Sequence, residues 1–180
     1  MDIMLDIETM GRQAGCVIRS IGAQAFDRSF EMGDSFYCNI TQKSCLDLGL
    51  LLDPETVEWW SKQSVEATQQ LMVDAIPIHE ALAAFNTFFR KGNYERVWAQ
   101  GSHFDLPIVE HPMVLLGMKT PWKFWNVRDT RTVYDVLKFD PKSVLLEGTY
   151  HNALDDARHQ ITCLKSARYS VVIKPHVEKV

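Results

Sequence analysis

The first eleven residues constrain the fold of this chain more than any other stretch. Their sequence, MDIMLDIETMG, is a short apolar run that ends at a glycine and carries two carboxylates, Asp6 and Glu8. Such a run is typical of a buried central strand. Because side chains alternate along a strand, Asp6 and Glu8 should point to the same face, about 7 Å apart. Two carboxylates beside a core repel each other and lose hydration, so the pattern predicts a divalent cation between them.

Length and composition predict one globular domain over residues 1–180, with 171–180 as a tail. No apolar stretch reaches the roughly 20 residues that cross a bilayer. A strand that begins at once and contains acids is not a signal peptide. The four cysteines show neither CxxC pairing nor zinc spacing, which indicates reduced thiols in the cytoplasm. A net charge of −4 argues against a protein that coats nucleic acid, but not against an enzyme that acts on it.

The residue patterns along the chain predict an α/β fold. The first three strands should form an antiparallel meander, because their connections are hairpin-like. After the opening strand, further strands are predicted at 16–26, 30–40 and 96–101. Helices are predicted to begin at Asp53-Pro54 and at Pro77, and to cover 64–73, 104–116, 129–137 and 153–172. Residues 119–128 are predicted to be irregular, and 138–150 to be a loop.

Two later motifs carry acids that can complete the site begun by the first strand. Asp105 follows the predicted strand 96–101, and sites of α/β proteins collect at the carboxyl ends of strands. The stretch HNALDDA contains His151, Asp155 and Asp156. A histidine, with an ordinary pKa of about 6.5, can accept a proton at neutral pH. The chain therefore offers several carboxylates and one base on elements that can converge.

Three motifs in this order, DIETMG, GSHFD and HNALDDA, resemble the DEDDh signature of DnaQ-like 3′→5′ exonucleases. The signature residues in this chain are Asp6, Glu8, Asp105, His151 and Asp156. The stretches DPETVEWWSKQS and PWKFWNVRDTRT are similar to the RNase T-like branch, which includes mycobacterial exoribonucleases and phage or prophage exodeoxyribonucleases. The resemblance covers nearly the whole chain. It implies an RNase H-like fold, in which the meander and additional parallel strands form a mixed sheet flanked by helices.

The resemblance also implies a two-metal site. Asp6 would bridge two Mg²⁺ ions, or Mn²⁺ in their place, and Glu8, Asp105 and Asp156 would complete their coordination. Oxygen ligands suit these ions better than zinc. His151 would act as the general base that takes a proton from the attacking water.

Contacts to the 3′ end follow from the same resemblance. Glu8 and the backbone of Thr9 would meet the terminal 3′-OH, and Met10 would wedge against the last base. Aromatic side chains can stack on bases, although core packing is the alternative for each of them. The candidates are Trp60, with its neighbour Trp59, and Phe104.

Asp155 and Asp156 compete for the last ligand position. If His151 were helical, Asp155 would share its face four residues later. If His151 lies in the loop before the helix, the family spacing of five residues selects Asp156 and leaves Asp155 as a surface or supporting acid. The resemblance favours Asp156.

Two arginines, Arg128 and Arg131, flank Asp129 close to these motifs. They would either bind phosphate or form a structural ion pair with Asp129, and the sequence leaves both interpretations open.

Together these features predict a metal-dependent 3′→5′ exonuclease that releases 5′-mononucleotides from single-stranded or overhanging 3′ ends. The resemblance implies a homodimer in the cytoplasm of a bacterial or phage-infected cell. The alternatives are a proofreading subunit of a polymerase and a catalytically silent module that binds nucleic acid. The choice between RNA and DNA stays open, because no residue can be assigned to a 2′-OH contact.

Overall fold

The computed structural model describes residues 1–173, with side chains up to residue 170. The predicted tail at 171–180 lies outside them, except that 171–173 are the last residues of the final helix. The strands are β1 (Asp2–Thr9), β2 (Ile18–Phe26), β3 (Met32–Asn39), β4 (Val97–Ala99) and β5 (Val127–Asp129). The helices are α1 (Gln42–Asp47), α2 (Pro54–Ser61), α3 (Val65–Gln70), α4 (Ile78–Gly92), α5 (Ser102–Leu115), α6 (Thr130–Leu137) and α7 (Ala153–Ile173). Over this part of the chain, no helix combines the length and the apolar character that a membrane span requires.

The strands form one mixed sheet in the order β3-β2-β1-β4-β5. β1, β2 and β3 pair antiparallel, whereas β4 runs parallel to β1 and β5 parallel to β4. This arrangement confirms the predicted α/β fold with an antiparallel meander and additional parallel strands. It places β1 at the centre of the sheet.

The two faces of β1 belong to two different cores, as the alternation of its side chains requires. Ile3, Leu5 and Ile7 are buried in the larger core, which includes residues of α4 and α5. Met4 is buried on the other face, in a smaller core that includes residues of α6 and α7. Asp6 continues the face of Met4 and therefore points toward α7.

Close contact between β2 and the start of α7 depends on Gly22. A methyl group on Gly22 would overlap the backbone of Ala153 and Leu154. Without a side chain at this position, the first turn of α7 lies directly on the sheet beside β1. The residues of that turn can therefore reach the carboxylates of β1.

Several predicted boundaries need correction. The second strand begins at Ile18 rather than at Cys16, which instead forms an isolated bridge with Leu51. The segment predicted to be irregular contains β5, whose three residues are too few to show an alternating pattern. α1 was not predicted, since Cys45 is the one buried residue in its six. α5 begins at Ser102, two residues earlier than expected.

Candidate active site

Three carboxylates meet where β1 faces the first turn of α7. Asp6, Glu8 and Asp156 each offer an oxygen, and these atoms lie within 4.8 Å of one another. Asp105 comes from the first turn of α5, which follows β4, the parallel neighbour of β1. Its side chain is buried, with 4% of the residue exposed. The fold thus brings two strand residues and two helix residues to one place.

Burial and mutual repulsion make these carboxylates hard to ionise. Burial, and then the negative charges of Asp105, Glu8 and Asp156, hold the pKa of Asp6 well above its ordinary value. Burial is also the largest cause that raises the pKa of Glu8 to about 8, of Asp105 to about 7 and of Asp156 to about 6. Within the described range, no lysine or arginine forms an ion pair with any of the four.

The donor set fits a divalent metal. Buried carboxylates that carry like charges need a cation from outside the chain, and an all-oxygen set favours Mg²⁺ or Mn²⁺ over zinc. Gln160 adds a further polar group, because its Nε2 donates to Oδ1 of Asp6 over 2.7 Å. Its buried Oε1 has no hydrogen-bond partner among the described residues. Gln160 was not identified from the sequence, although it lies four residues after Asp156 on the same face of α7.

His151 lies outside α7, in the turn that leads into it. Its backbone has φ of +62°, and Asn152 caps the helix by accepting hydrogen bonds from the backbone N–H groups of Leu154 and Asp155. This is the arrangement under which the family spacing selects Asp156.

Asp155 is turned toward the loop rather than toward the other acids. Its Oδ2 accepts a hydrogen bond from the backbone N–H of Thr149 over 2.9 Å. Its Oδ1 lies 3.6 Å from Nη1 of Arg158, whose Nε donates to Gln24 on β2. Asp155 therefore ties the loop before His151 to α7 and to the sheet.

The imidazole of His151 packs against two tryptophans of α2. Its centroid lies 4.9 Å from the ring of Trp59 and 5.9 Å from that of Trp60, both edge to face. Burial lowers the pKa of His151. The ring is therefore neutral at pH 7 and can accept a proton.

A cavity of about 470 Å³ opens beside Glu8. Its lining includes Thr9, Trp59, Trp60 and Phe104. Trp60 is almost completely buried, and its Nε1 donates to the carbonyl of Thr9 over 2.8 Å. These contacts hold its ring in place at one side of the cavity. Trp59 is 42% exposed and is the more accessible of the two rings. The sequence left open which tryptophan faces solvent, since two adjacent helical residues differ by about 100° in direction.

Met10 does not line this cavity. Its side chain is buried in the larger core, although the resemblance implied a wedge against the last base. A shift in the pairing register between Glu8 and Thr9 interrupts the alternation of β1. Met10 therefore does not continue the face of Asp6 and Glu8.

Known proteins with similar sequences include exonucleases. The family model described as the 3′-5′ exoribonuclease Rv2179c-like domain matches residues 1–167. The exodeoxyribonuclease of Enterobacteria phage T4 is 25% identical over 206 aligned positions, which cover 94% of this chain and 90% of the phage protein.

Solved structures of other exonucleases share this fold at lower sequence identity. Exonuclease I matches with a TM-score of 0.70 at 15% identity, over 94% of this chain and 41% of exonuclease I, so this chain spans less than half of that protein. The nuclease domain of 3′hExo, a DEDDh family member bound to rAMP, matches with a TM-score of 0.58 at 13% identity, over 99% of this chain and 98% of that domain. These similarities confirm the predicted RNase H-like fold.

Proposed function

Since the chain belongs to the 3′-5′ exoribonuclease Rv2179c-like family, and is thus a 3′-5′ exonuclease, we propose that it releases 5′-mononucleotides from single-stranded or overhanging 3′ ends with the aid of two divalent metal ions. The observation that carries this proposal is the convergence of Asp6, Glu8 and Asp156 within 4.8 Å, with no lysine or arginine of the described residues in an ion pair with them.

In the proposed site, Asp6, Glu8, Asp105 and Asp156 would hold the two ions. Such ions would stabilise the attacking oxygen, the charged phosphate and the leaving oxygen of a phosphodiester. Gln160 fixes the orientation of the Asp6 carboxylate through its 2.7 Å hydrogen bond. We propose Mg²⁺ as the usual ion and Mn²⁺ as its replacement.

His151 is the proposed general base. Its ring is neutral at pH 7 because burial lowers its pKa, so a ring nitrogen is free to take a proton from the attacking water. Trp59 and Trp60 hold the ring from one side. Its loop is anchored to α7 by Asp155.

The cavity beside Glu8 is the proposed pocket for the 3′-terminal nucleotide. Glu8 and Thr9 line it, which supports the proposed contacts of Glu8 and of the Thr9 backbone with the 3′-OH. Trp59 and Phe104 supply aromatic surface on which a base can stack, which does not depend on base identity.

Residues 1–180 are proposed to form one domain that pairs with a second copy in the cytoplasm. Phe124 and Trp125 support a pairing surface, because 83% and 58% of these residues are exposed. Trp122 lies outside this surface, since it is buried and its Nε1 donates to Oε1 of Glu110.

The test is a cleavage ladder on 5′-labelled RNA and DNA oligonucleotides, each single-stranded and with a 3′ overhang, in Mg²⁺ and in Mn²⁺. We expect the wild type to shorten strands stepwise from the 3′ end. Asp6→Asn and Asp156→Asn should abolish the ladder and leave the folded state intact by circular dichroism. Asp155→Asn is the matched control, because asparagine can still accept the hydrogen bond from Thr149.

Normal rates in Asp156→Asn would overturn the assignment of the site. Tight binding by the wild type without any cleavage would instead indicate a catalytically silent module. The ratio of RNA to DNA cleavage decides between the activities named for the family and for the phage relative.

A further inference from the structure

The arginines near the candidate active site differ in whether their guanidinium groups are already engaged. Arg12 donates to Asp53 and Glu55. Arg158 and Arg128 also have partners, which are Gln24 and Asp155 for the first and the carbonyls of Trp125 and Val127 for the second. Arg131 has no hydrogen bond and no ion pair among the residues that the structure describes. It is exposed and free to bind an anion.

Arg131 lies over the start of the helix that carries Asp105. It is the second residue of α6, and a methyl group built on Gly101 would lie 3.7 Å from its Nε and 3.8 Å from its Cζ. The carbonyl of Gly101 accepts the backbone N–H of Asp105 over 3.3 Å, so the two residues are one helical turn apart. Gly101 has φ of +111°, a backbone conformation that favours glycine, and the guanidinium of Arg131 lies in ordinary van der Waals range of it.

Asp129 fixes the two segments against each other. Its Oδ2 accepts hydrogen bonds from the backbone N–H groups of Gly101 and Ser102, at 3.1 and 2.6 Å. Its Oδ1 accepts from the backbone N–H of Thr132 and so caps α6. The carboxylate is thus occupied by backbone groups, which leaves Arg131 without the ion pair that its sequence position suggested.

A nucleic acid strand needs protein cations in addition to the metal ions. Two divalent ions would only balance the four carboxylates, whereas each further nucleotide brings one negative phosphate. Arg131 is not part of the cavity proposed for the terminal nucleotide. Arg131 nevertheless interacts electrostatically with the site. Its positive charge lowers the pKa of Asp105, although burial raises that pKa by more.

We propose that Arg131 binds a backbone phosphate of the strand on the 5′ side of the bond that is cut. A guanidinium group suits this task because it can donate two parallel hydrogen bonds to phosphate oxygens. This inference rests on the proposed function, because it assumes that a strand leaves the 3′ pocket across the carboxylates. Arg131 would then set affinity for the strand without taking part in the chemical step.

Binding is tested by fluorescence anisotropy with a labelled single-stranded 12-mer, in the Asp156→Asn background and over a series of salt concentrations. Arg131→Gln should weaken binding roughly 10- to 150-fold at low salt, the usual range for one charged hydrogen-bonding group. It should also reduce the slope of log K against log salt by about 0.7, the value for one phosphate contact on a single strand. Arg131→Lys should keep the slope, and Arg128→Gln, with its side chain already engaged, should change neither quantity.

Chain length gives a second readout in the active enzyme. Arg131→Gln should raise KM for the 12-mer with kcat unchanged, and should leave KM for a dinucleotide unaltered. An unchanged salt slope, or the same loss in Arg128→Gln, would overturn the proposal. Because the salt slope is a binding measurement, it tests Arg131 even if the wild type fails to cleave, which would count against the proposed function alone.

Discussion

Replacing Glu8 by glutamine should stabilise the metal-free protein at alkaline pH. Glu8 is buried on β1, with Asp156 and Asp105 as charged neighbours. Glutamine has nearly the same shape but no charge to bury. The variant should therefore lose activity and gain stability, as expected for a residue retained to bind a metal.

The size of the gain follows from the titration of Glu8. Burial, and then the charges of Asp156 and Asp105, raise its pKa from 4.5 to about 8. Between these values the folded protein holds a proton that the unfolded chain has released, so the free energy of unfolding falls as pH rises. At about 1.4 kcal/mol per pH unit, Glu8 removes about 3 kcal/mol of stability between pH 5 and pH 8. Glutamine does not titrate, so Glu8→Gln should gain about that much relative to wild type over the same interval.

Urea unfolding in EDTA at pH 5 and at pH 8, followed by tryptophan fluorescence, measures this difference. Glu147→Gln, at an exposed position, is the control and should show no such change. Saturating Mg²⁺ at pH 8 should raise the stability of the wild type and narrow the gap. Equal differences between wild type and Glu8→Gln at the two pH values would refute the reasoning.

Three further perturbations test the neighbouring contacts. His151→Ala should lower kcat roughly 10²- to 10⁴-fold. In the wild type at saturating Mg²⁺, kcat should decline only below pH 6.5, because burial lowers the pKa of His151. Asp155→Ala should release the backbone N–H of Thr149, seen as faster hydrogen exchange at that amide and a roughly 10-fold lower kcat, whereas Asp155→Asn should preserve both. Trp60→Phe should lower the free energy of urea unfolding by about 1 kcal/mol, since it removes the hydrogen bond to the carbonyl of Thr9.

The central strand was predictable because its sequence carries two independent signals. Apolar alternation placed Asp6 and Glu8 on one face, and the cost of burying them implied a partner of opposite charge. The distant motifs were recognisable through the family resemblance, since an acid at the start of a helix can also be a cap, as Asp129 is for α6. His151 could be placed before the helix only once the structure showed Asn152 as its cap.

What the sequence did not reveal depends on contacts between distant segments. β5 is recognisable only through its pairing with β4, since three residues carry no period. The alternation of β1 predicts that Met10 shares the face of Asp6 and Glu8. The register shift between Glu8 and Thr9 interrupts that alternation, and the side chain of Met10 lies in the larger core. The role of Gln160 depends on its hydrogen bond to Asp6, and no local sequence pattern predicts that contact.

The bond between Gln160 and Asp6 joins residues 154 positions apart. β1 precedes α7, which carries Asp156, and therefore leaves the ribosome earlier. A growing chain on the ribosome therefore carries Asp6 and Glu8 before Asp156 and Gln160 have been made. The proposed nuclease site forms only when α7 docks on β2, so a chain that has not yet made α7 would carry an incomplete and inactive site.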